Sequence, residues 1–312
     1  MELIKCFKAL CDPTRLRLFY LLQEFELNVN EVVKIVGMIQ SGVSRHLKIL
    51  VESELLIFRR DASFIYYTAA KNDITKTLVA LIDQNNQINK LQASDLTENF
   101  DKDLKKAREI IKIRQNITKK FFKAIAPQWD SLKKEVYGNF DLDAVIKEKI
   151  SFQGNISDFG CGTGELIEKL SNEKFNKLIG IDSSPQMLDQ ARLRLSKTNR
   201  ADLRLGELEY LPMKNREIDT AIMNMVLHHI SQPQLCLTEI YRVLKTKGIF
   251  ILTDFEKHDN KKIKKIMGGS WSGFEKEKIE TWLKDAGFNL IFIDSFNVNF
   301  NLNINFFVSQ KY

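Results

Sequence analysis

Four cysteines in 312 residues, Cys6, Cys11, Cys161 and Cys236, are too few and too scattered for a disulfide framework. No apolar run approaches the roughly 20 residues that a bilayer-spanning helix needs. The opening residues, Met1 to Lys5, lack the basic start, apolar stretch and small-residue cleavage site of a signal peptide. These absences lead to the expectation of a cytoplasmic protein with no membrane partner. The chain shows no internal repeat, no low-complexity tract, no metal-ligand cluster and no obvious nucleophile, so no metal site is expected.

What is present describes an ordinary globular chain, 44% hydrophobic and 28% charged, of a length that favours two domains. The net charge of +7 is unevenly spread. Residues 1–70 hold nine Lys/Arg against eight Asp/Glu, residues 71–136 fourteen against nine, and residues 137–312 twenty-four against twenty-three. A basic middle segment beside a DNA-binding module would add phosphate contacts, although mixed charge at helical spacing more often marks a solvated face.

Residues 2–10 have apolar positions at helical spacing. Asp12-Pro13-Thr14 predicts an N-cap and a new helix over 14–24. Asn28 predicts the cap of a third helix, which Gly37 ends, and a fourth starts near Ser41 and runs to about Glu52. Residues 56–60 and 64–68 are β-rich runs around Asp61-Ala62-Ser63, a hairpin pattern. Helices followed by such a hairpin predict a winged helix-turn-helix. Helical patterns follow over 73–84 and 100–125, with a diluted stretch at 85–100 where a boundary is expected. From Asn155, strands at 155–159, 177–182, 201–205, 218–224, 248–254, 288–294 and 303–309 alternate with helices near 164–170, 185–195, 233–244 and 275–286. Such alternation predicts a mostly parallel sheet, and the short link between the last two strands predicts that they pair antiparallel.

In a helix-turn-helix the start of the second helix meets base edges, here Gln40, Ser41, Ser44, Arg45 and His46, with Lys48 further on. Arg pairs with guanine and Gln with adenine, while Ser also reaches phosphate. Arg59 and Arg60 at the wing suit phosphate or the minor groove. The segments FKALCDPTRLRLFYLL, SGVSRHLKILVESELL and FRRDASFIYYT, all within residues 3–70, resemble the ArsR/SmtB family of winged-helix repressors. That resemblance implies binding to a double-stranded DNA operator. It also implies a homodimer with residues 2–10 and 73–84 at its interface. The Cys-x-Cys of arsenic-sensing members is absent: Glu26 to Glu31 contain no thiol, and thiolates are the soft ligands such a site needs. Cys6 and Cys11 are read as structural.

The strongest motif is Asp158-Phe159-Gly160-Cys161-Gly162-Thr163-Gly164, which follows a strand and opens a helix. Its glycines permit a tight turn and close approach of backbone to a ligand. Asp182 ends the next strand, 18 residues past Gly164, where a carboxylate can accept both ribose hydroxyls. Ser183 and Met187 follow it. Glu207-Leu208 ends the third strand, where a carboxylate can accept from an adenine amino group. NAD is the competing ligand for a Gly-rich turn, but the third, later glycine of that fingerprint is missing. The whole set over 150–255 resembles class I S-adenosylmethionine (SAM)-dependent methyltransferases of the ubiquinone/menaquinone-methylase type. The resemblance implies that Asp158, Gly160 and Gly162 hold the methionine side of SAM or S-adenosylhomocysteine (SAH), with Cys161 and Gly164 also among the cofactor-binding residues. It likewise places Asp182 at the ribose, Met187, Glu207 and Leu208 at adenine, and Asn224 beside the site, with Ser183 among the cofactor-binding residues. The stretch from Ile117 to Tyr137 resembles the lid of fused ArsR-type methyltransferases, so Phe122, Trp129 and Tyr137 are lid or core. His228 and His229 are read as packing or cofactor-shell residues and the catalytic residues stay unassigned.

The expected architecture is an α+β winged helix-turn-helix at 1–84, a helical linker or lid at 85–135, and an α/β Rossmann-like domain with a seven-stranded, mostly parallel sheet at 136–312. Two functions are compatible with it. In the first, the SAM- or SAH-binding domain modulates DNA binding by a repressor, with the basic 100–125 helix as connector. In the second, the domain is a small-molecule methyltransferase that carries a DNA-binding module. The sequence leans to the first, because the DNA-reading helix and wing are intact.

Overall fold

The computed structural model describes residues 2–61, 64–90, 95–149, 154–197 and 201–312; Ala62, Ser63 and Ser94 of the predicted breaks lie outside them. The chain forms two compact units, Met1–Ile113 and Arg114–Tyr312.

The first unit contains α1 (Glu2–Leu10), α2 (Pro13–Glu24), β1 (Leu27–Asn28), α3 (Val29–Val36), α4 (Gln40–Glu52), β2 (Leu56–Asp61), β3 (Phe64–Ala69) and α5 (Asp73–Lys90). It also takes the start of α6 (Asp95–Ile125). Asp12 caps α2 by accepting from the Arg15 N–H, and Asn28 and Glu31 form a reciprocal capping box on α3. Gly37 ends α3 at φ 71°, a left-handed conformation that a side chain would strain. Strands β1, β3 and β2 form an antiparallel sheet in that order, the wing of a winged helix-turn-helix. Leu18, Leu22, Val32, Leu47 and Leu50 are fully buried in its core.

The division between the units falls inside α6, well past the 85–100 stretch read from sequence. The reason is packing. Leu104, Ala107 and Ile111 are buried in the winged-helix core. Both guanidinium arms of Arg17 bind the carboxylate of Asp103 at 2.9 Å, and the Lys106 ammonium caps α3 through the Ile35 carbonyl at 2.8 Å.

The second unit continues with α7 (Trp129–Tyr137), α8 (Leu142–Lys149), β4 (Asn155–Phe159), α9 (Glu165–Leu170), β5 (Lys177–Asp182), α10 (Pro185–Arg194) and β6 (Ala201–Leu205). Then come β7 (Ile218–Asn224), α11 (Pro233–Val243), β8 (Leu244–Phe255), α12 (Lys261–Met267), α13 (Lys276–Asp285), β9 (Phe288–Val298) and β10 (Leu302–Lys311). One sheet of seven strands runs β6-β5-β4-β7-β8-β10-β9. The first five strands pair parallel, while β10 is antiparallel to both β8 and β9. Strand order reverses between β4 and β7, the switch point at which open α/β sheets bind ligands. Helices α7, α8 and α12 were not read from the sequence. No described helix is long and apolar enough to cross a membrane.

Candidate functional site

Asp158 is buried near the end of β4, and the chain then turns sharply through Gly160 and Gly162, at φ 74° and 53°. A β-carbon on Gly160 would sit 2.5 Å from Val226, so no side chain fits there. The β5 end closes the turn from the other side. Asp182 accepts from the Gly162 N–H at 2.9 Å and from the Ser184 N–H at 2.8 Å. Burial pushes the Asp182 carboxyl up to about 6 against the pull of those N–H donors. Asp158 is pushed up to about 8, first by burial and then by the nearby charge of Asp143. Among the described residues no group of three metal-ligating side chains gathers.

One cavity gathers Asp158, Gly160, Cys161, Gly162, Asp182, Ser183, Met187, Glu207, Leu208 and Asn224. Gly164 is outside the lining; it caps the start of α9 at φ 76°, and a β-carbon there would sit 3.1 Å from Ala191 of α10. Asn224 lines the cavity with both ends of its amide engaged. It donates to Asp143 at 2.9 Å and accepts from the Thr253 hydroxyl at 2.8 Å, so it holds Asp143 in place. Lys169 binds the other oxygen of Asp143 at 2.9 Å. Glu207 is ion-paired with Lys119, and Gln115 donates to Glu209 at 3.4 Å. Thus the second half of α6, read as a solvated basic face, supplies part of the wall.

Phe122, Trp129 and Tyr137 all line the same cavity. Trp129 is held beside the glycine turn by a network across three elements. Asp130 of α7 accepts from the Thr163 hydroxyl at 2.7 Å and pairs with Arg194 of α10, which also donates to Thr163. Burial raises the Asp130 carboxyl, but the bonds from Arg194 and Thr163 outweigh it and hold it below its ordinary value.

His229 also reaches the wall, packed edge-on against Phe122 with ring centres 4.7 Å apart. Behind it His228 donates its backbone N–H to Asp254 at 2.9 Å, and its Nδ1 meets the other oxygen at 2.8 Å. Burial first, and His228 second, hold the His229 imidazole well below its ordinary value, so the ring is neutral. The phenol of Tyr137, both ring nitrogens of His229 and the hydroxyl of Ser231 are buried and lack any hydrogen-bond partner, and the three residues are among those that line this cavity. Sequence reading missed Ser231 and Asp143, because the partners that give them meaning are far away in the chain. For His229 the visible signal was two adjacent histidines followed by an acid, Asp254, at the end of the next strand.

In the first unit, Gln40, Ser41, Ser44, Arg45 and Lys48 are exposed along the start and outer face of α4. His46 is turned away, with Nδ1 buried 3.9 Å from Asp12. At the wing, Arg60 is exposed. Arg59 instead lies over the Tyr66 ring and binds Glu26 at 2.6 Å, because strand alternation points it the other way. Arg59 is therefore a packing residue and not a free wing cation.

Residues 157–252 match the methyltransferase domain family, and residues 12–57 match the bacterial regulatory protein arsR family. An uncharacterized protein of Methanocaldococcus jannaschii is 34% identical over 155 residues, 49% of this chain and 58% of that one. The demethylmenaquinone methyltransferase of Lactiplantibacillus plantarum is 27% identical over 154 residues, 46% of this chain and 65% of the relative. The chain thus spans less than two thirds of either relative. The crystal structure of the cyclase SpnF superposes with a TM-score of 0.52 at 17% identity, over 62% of this chain and 94% of that one. That likeness concerns the fold alone, and a fold shared with a cyclase does not fix the chemistry.

Proposed function

Because the chain joins an ArsR-type helix-turn-helix to a class I SAM-methyltransferase domain, we propose that it transfers a methyl group from SAM to a small-molecule acceptor and carries a module that binds operator DNA. The reading rests on one observation. The cavity at the switch point presents carboxylates suited to a nucleoside and, beside them, an aromatic wall with unpartnered polar atoms. A nucleoside sensor requires only the first part. Asp182 suits the ribose hydroxyls, Glu207 and Leu208 the adenine edge, and Asp158 with the Gly160–Gly162 turn the amino-acid end. SAM would supply an electrophilic methyl group there, while the chain binds, orients and excludes water.

Relatives named demethylmenaquinone methyltransferase make a demethylmenaquinone, offered in its reduced quinol form, the first acceptor to try. Calorimetry with SAM and SAH tests nucleoside binding. Radiolabel transfer from SAM to demethylmenaquinol and to small phenols tests turnover. Tight SAH binding without transfer to any acceptor, together with a ligand-dependent change in affinity for the chain's own upstream DNA, would support the sensor instead.

The exposed face of α4 with Arg60 supports DNA binding under either outcome. Leu3, Ile4 and Phe7 on α1 and Leu81 on α5 expose apolar surface on the helices expected to pair in a homodimer. A cytoplasmic location follows from a DNA-binding role.

A further inference from the structure

We infer that the end of the cavity formed by Gln115, Glu209 and Ser231 is a subsite for an ammonium group, so that the acceptor is an amine-bearing molecule anchored there as a cation. The inference rests on the methyl-transfer reading above and names the charge of the acceptor and the residues that hold it.

The charges of the lining carry it. The carboxylates of Asp143, Asp158, Glu165, Asp182, Glu207 and Glu209 border the cavity, against the ammonium groups of Lys119 and Lys133. Both lysines are already engaged, Lys119 with Glu207 and Lys133 with Glu165, and Lys169 from outside the lining pairs with Asp143. Asp158 and Asp182 suit the amino-acid end and the ribose of the cofactor. Glu209 is the acid left over. SAM, with a sulfonium, an ammonium and a carboxylate, brings one net positive charge, fewer than the carboxylates that the lysines leave unpaired. A second cation fits that balance, and an anionic acceptor would oppose it.

Glu209 itself is 2% exposed. Its donors are neutral: the Gln115 amide at 3.4 Å and the main-chain N–H groups of Glu209 and Gln232. Burial first, and the charge of Glu207 as well, hold its carboxyl above the ordinary value, so these donors do not offset its loss of water. Ser231 supplies an independent sign. It precedes Gln232, whose N–H binds Glu209, and its hydroxyl is buried with no partner. Ser231 is 3% exposed and belongs to the same lining. A hydroxyl oxygen accepts an N–H, so Glu209 and Ser231 together offer an ammonium group a charged and a neutral acceptor. Along α6, Gln115 stands seven residues before Phe122, about 10 Å of helix. The ammonium end thus lies two turns from the Phe122 end, and one acceptor of modest length can reach from one towards the other.

The test uses the SAH-loaded full chain and three probes of similar size: 2-phenylethylamine as the cation, 2-phenylethanol as the neutral form and 3-phenylpropionate as the anion. Binding is read by equilibrium dialysis near neutral pH. In the wild type the amine should bind at least about 10-fold more tightly than the alcohol, and the propionate should not bind. Glu209→Gln keeps the size of the side chain and should remove the preference for the amine, while Glu209→Asp should retain part of it. SAH affinity should be unchanged in both. Should Glu209→Gln fail to fold, Ser231→Ala carries the test, since it should weaken the amine and leave SAH affinity as it was. Equal binding of amine and alcohol by the wild type, tighter binding of the propionate, or no binding of any probe overturns the subsite. An amine preference that survives Glu209→Gln, or amine affinity unchanged by Ser231→Ala, overturns the residues assigned to it. Methyl transfer to demethylmenaquinol with no amine preference overturns this inference alone. Amine-selective binding without transfer to any acceptor keeps the subsite and overturns the methyl-transfer reading, and failure of the wild type to bind SAH removes both.

Discussion

Asp182, at the end of β5, accepts the backbone N–H of Gly162 at 2.9 Å, so the carboxylate expected at the ribose also fixes the glycine turn that borders it. A hydrogen bond to a charged group contributes roughly 1.5–3 kcal/mol. Asp182→Ala should therefore weaken SAH binding at least about 10-fold in calorimetry. Asp182→Asn preserves the shape of the turn and separates loss of charge from loss of the loop. Wild-type SAH affinity in both variants would remove Asp182 from the site.

Asp158 carries a pH dependence whose sign is fixed. Its carboxyl is pushed up to about 8 in the folded, ligand-free chain, against 3.8 as the ordinary value. Between those values the folded state holds more protons than the unfolded one, so this group's stabilising contribution is lost as pH rises toward 8. Asp158→Asn should raise the Tm of the ligand-free chain at pH 8 by roughly several degrees and leave it unchanged near pH 4. A ligand ammonium beside Asp158 favours its ionised form, so wild-type SAH affinity should climb between about pH 6 and 8. Calorimetry in buffers of different ionisation enthalpy should show proton release, and flat affinity across that range would place the amino group elsewhere.

Arg17 and Asp103 form a bidentate pair between α2 and α6, with side chains 18% and 3% exposed. The asymmetry sets an order. Arg17→Ala strands a buried carboxylate and should cost about 3 kcal/mol, whereas Asp103→Ala leaves a cation that can turn toward water and should cost less. Hydrogen exchange of α2 and α6 amides reads both. A larger loss for Asp103→Ala would reverse this account.

The cations of the first unit should divide by environment. Arg45, exposed on α4, should cost about 1–3 kcal/mol of operator affinity on substitution by Ala and relax specificity at one base pair. Arg60→Ala should weaken binding to all sequences alike and lower the salt slope by about 1. Arg59→Ala, which breaks the contacts to Glu26 and Tyr66, should lower stability first. A selective loss of operator affinity with unchanged stability in Arg59→Ala would return Arg59 to the interface.

The caps, turns and strand pattern of this chain were legible because their causes are local. Asp12, Asn28 and Gly37 act within three or four residues of themselves, and the seven strands of the second unit announce themselves by alternation with helices. The Asp158–Gly164 turn and Asp182 were legible for the same reason: one short stretch of backbone must curl around a ligand, and only certain residues permit it. Helices α7, α8 and α12 were not, since each is short and its identity depends on what it packs against. The boundary was misjudged because the periodicity of α6 does not reveal that Leu104, Ala107 and Ile111 belong to the winged-helix core while Phe122 lines a cavity.

The sequence by itself determined the two folds, the order of their elements and the backbone turn that suits a nucleoside, all consequences of local propensity and spacing. Only the tertiary structure decided that Asn224 is spent on Asp143, that Arg59 is bound to Glu26, and that His229 and Ser231 face a cavity unpartnered. Each of these depends on which distant side chain arrives to satisfy or abandon a polar atom, and that is settled by packing across the sheet rather than by the residues on either side.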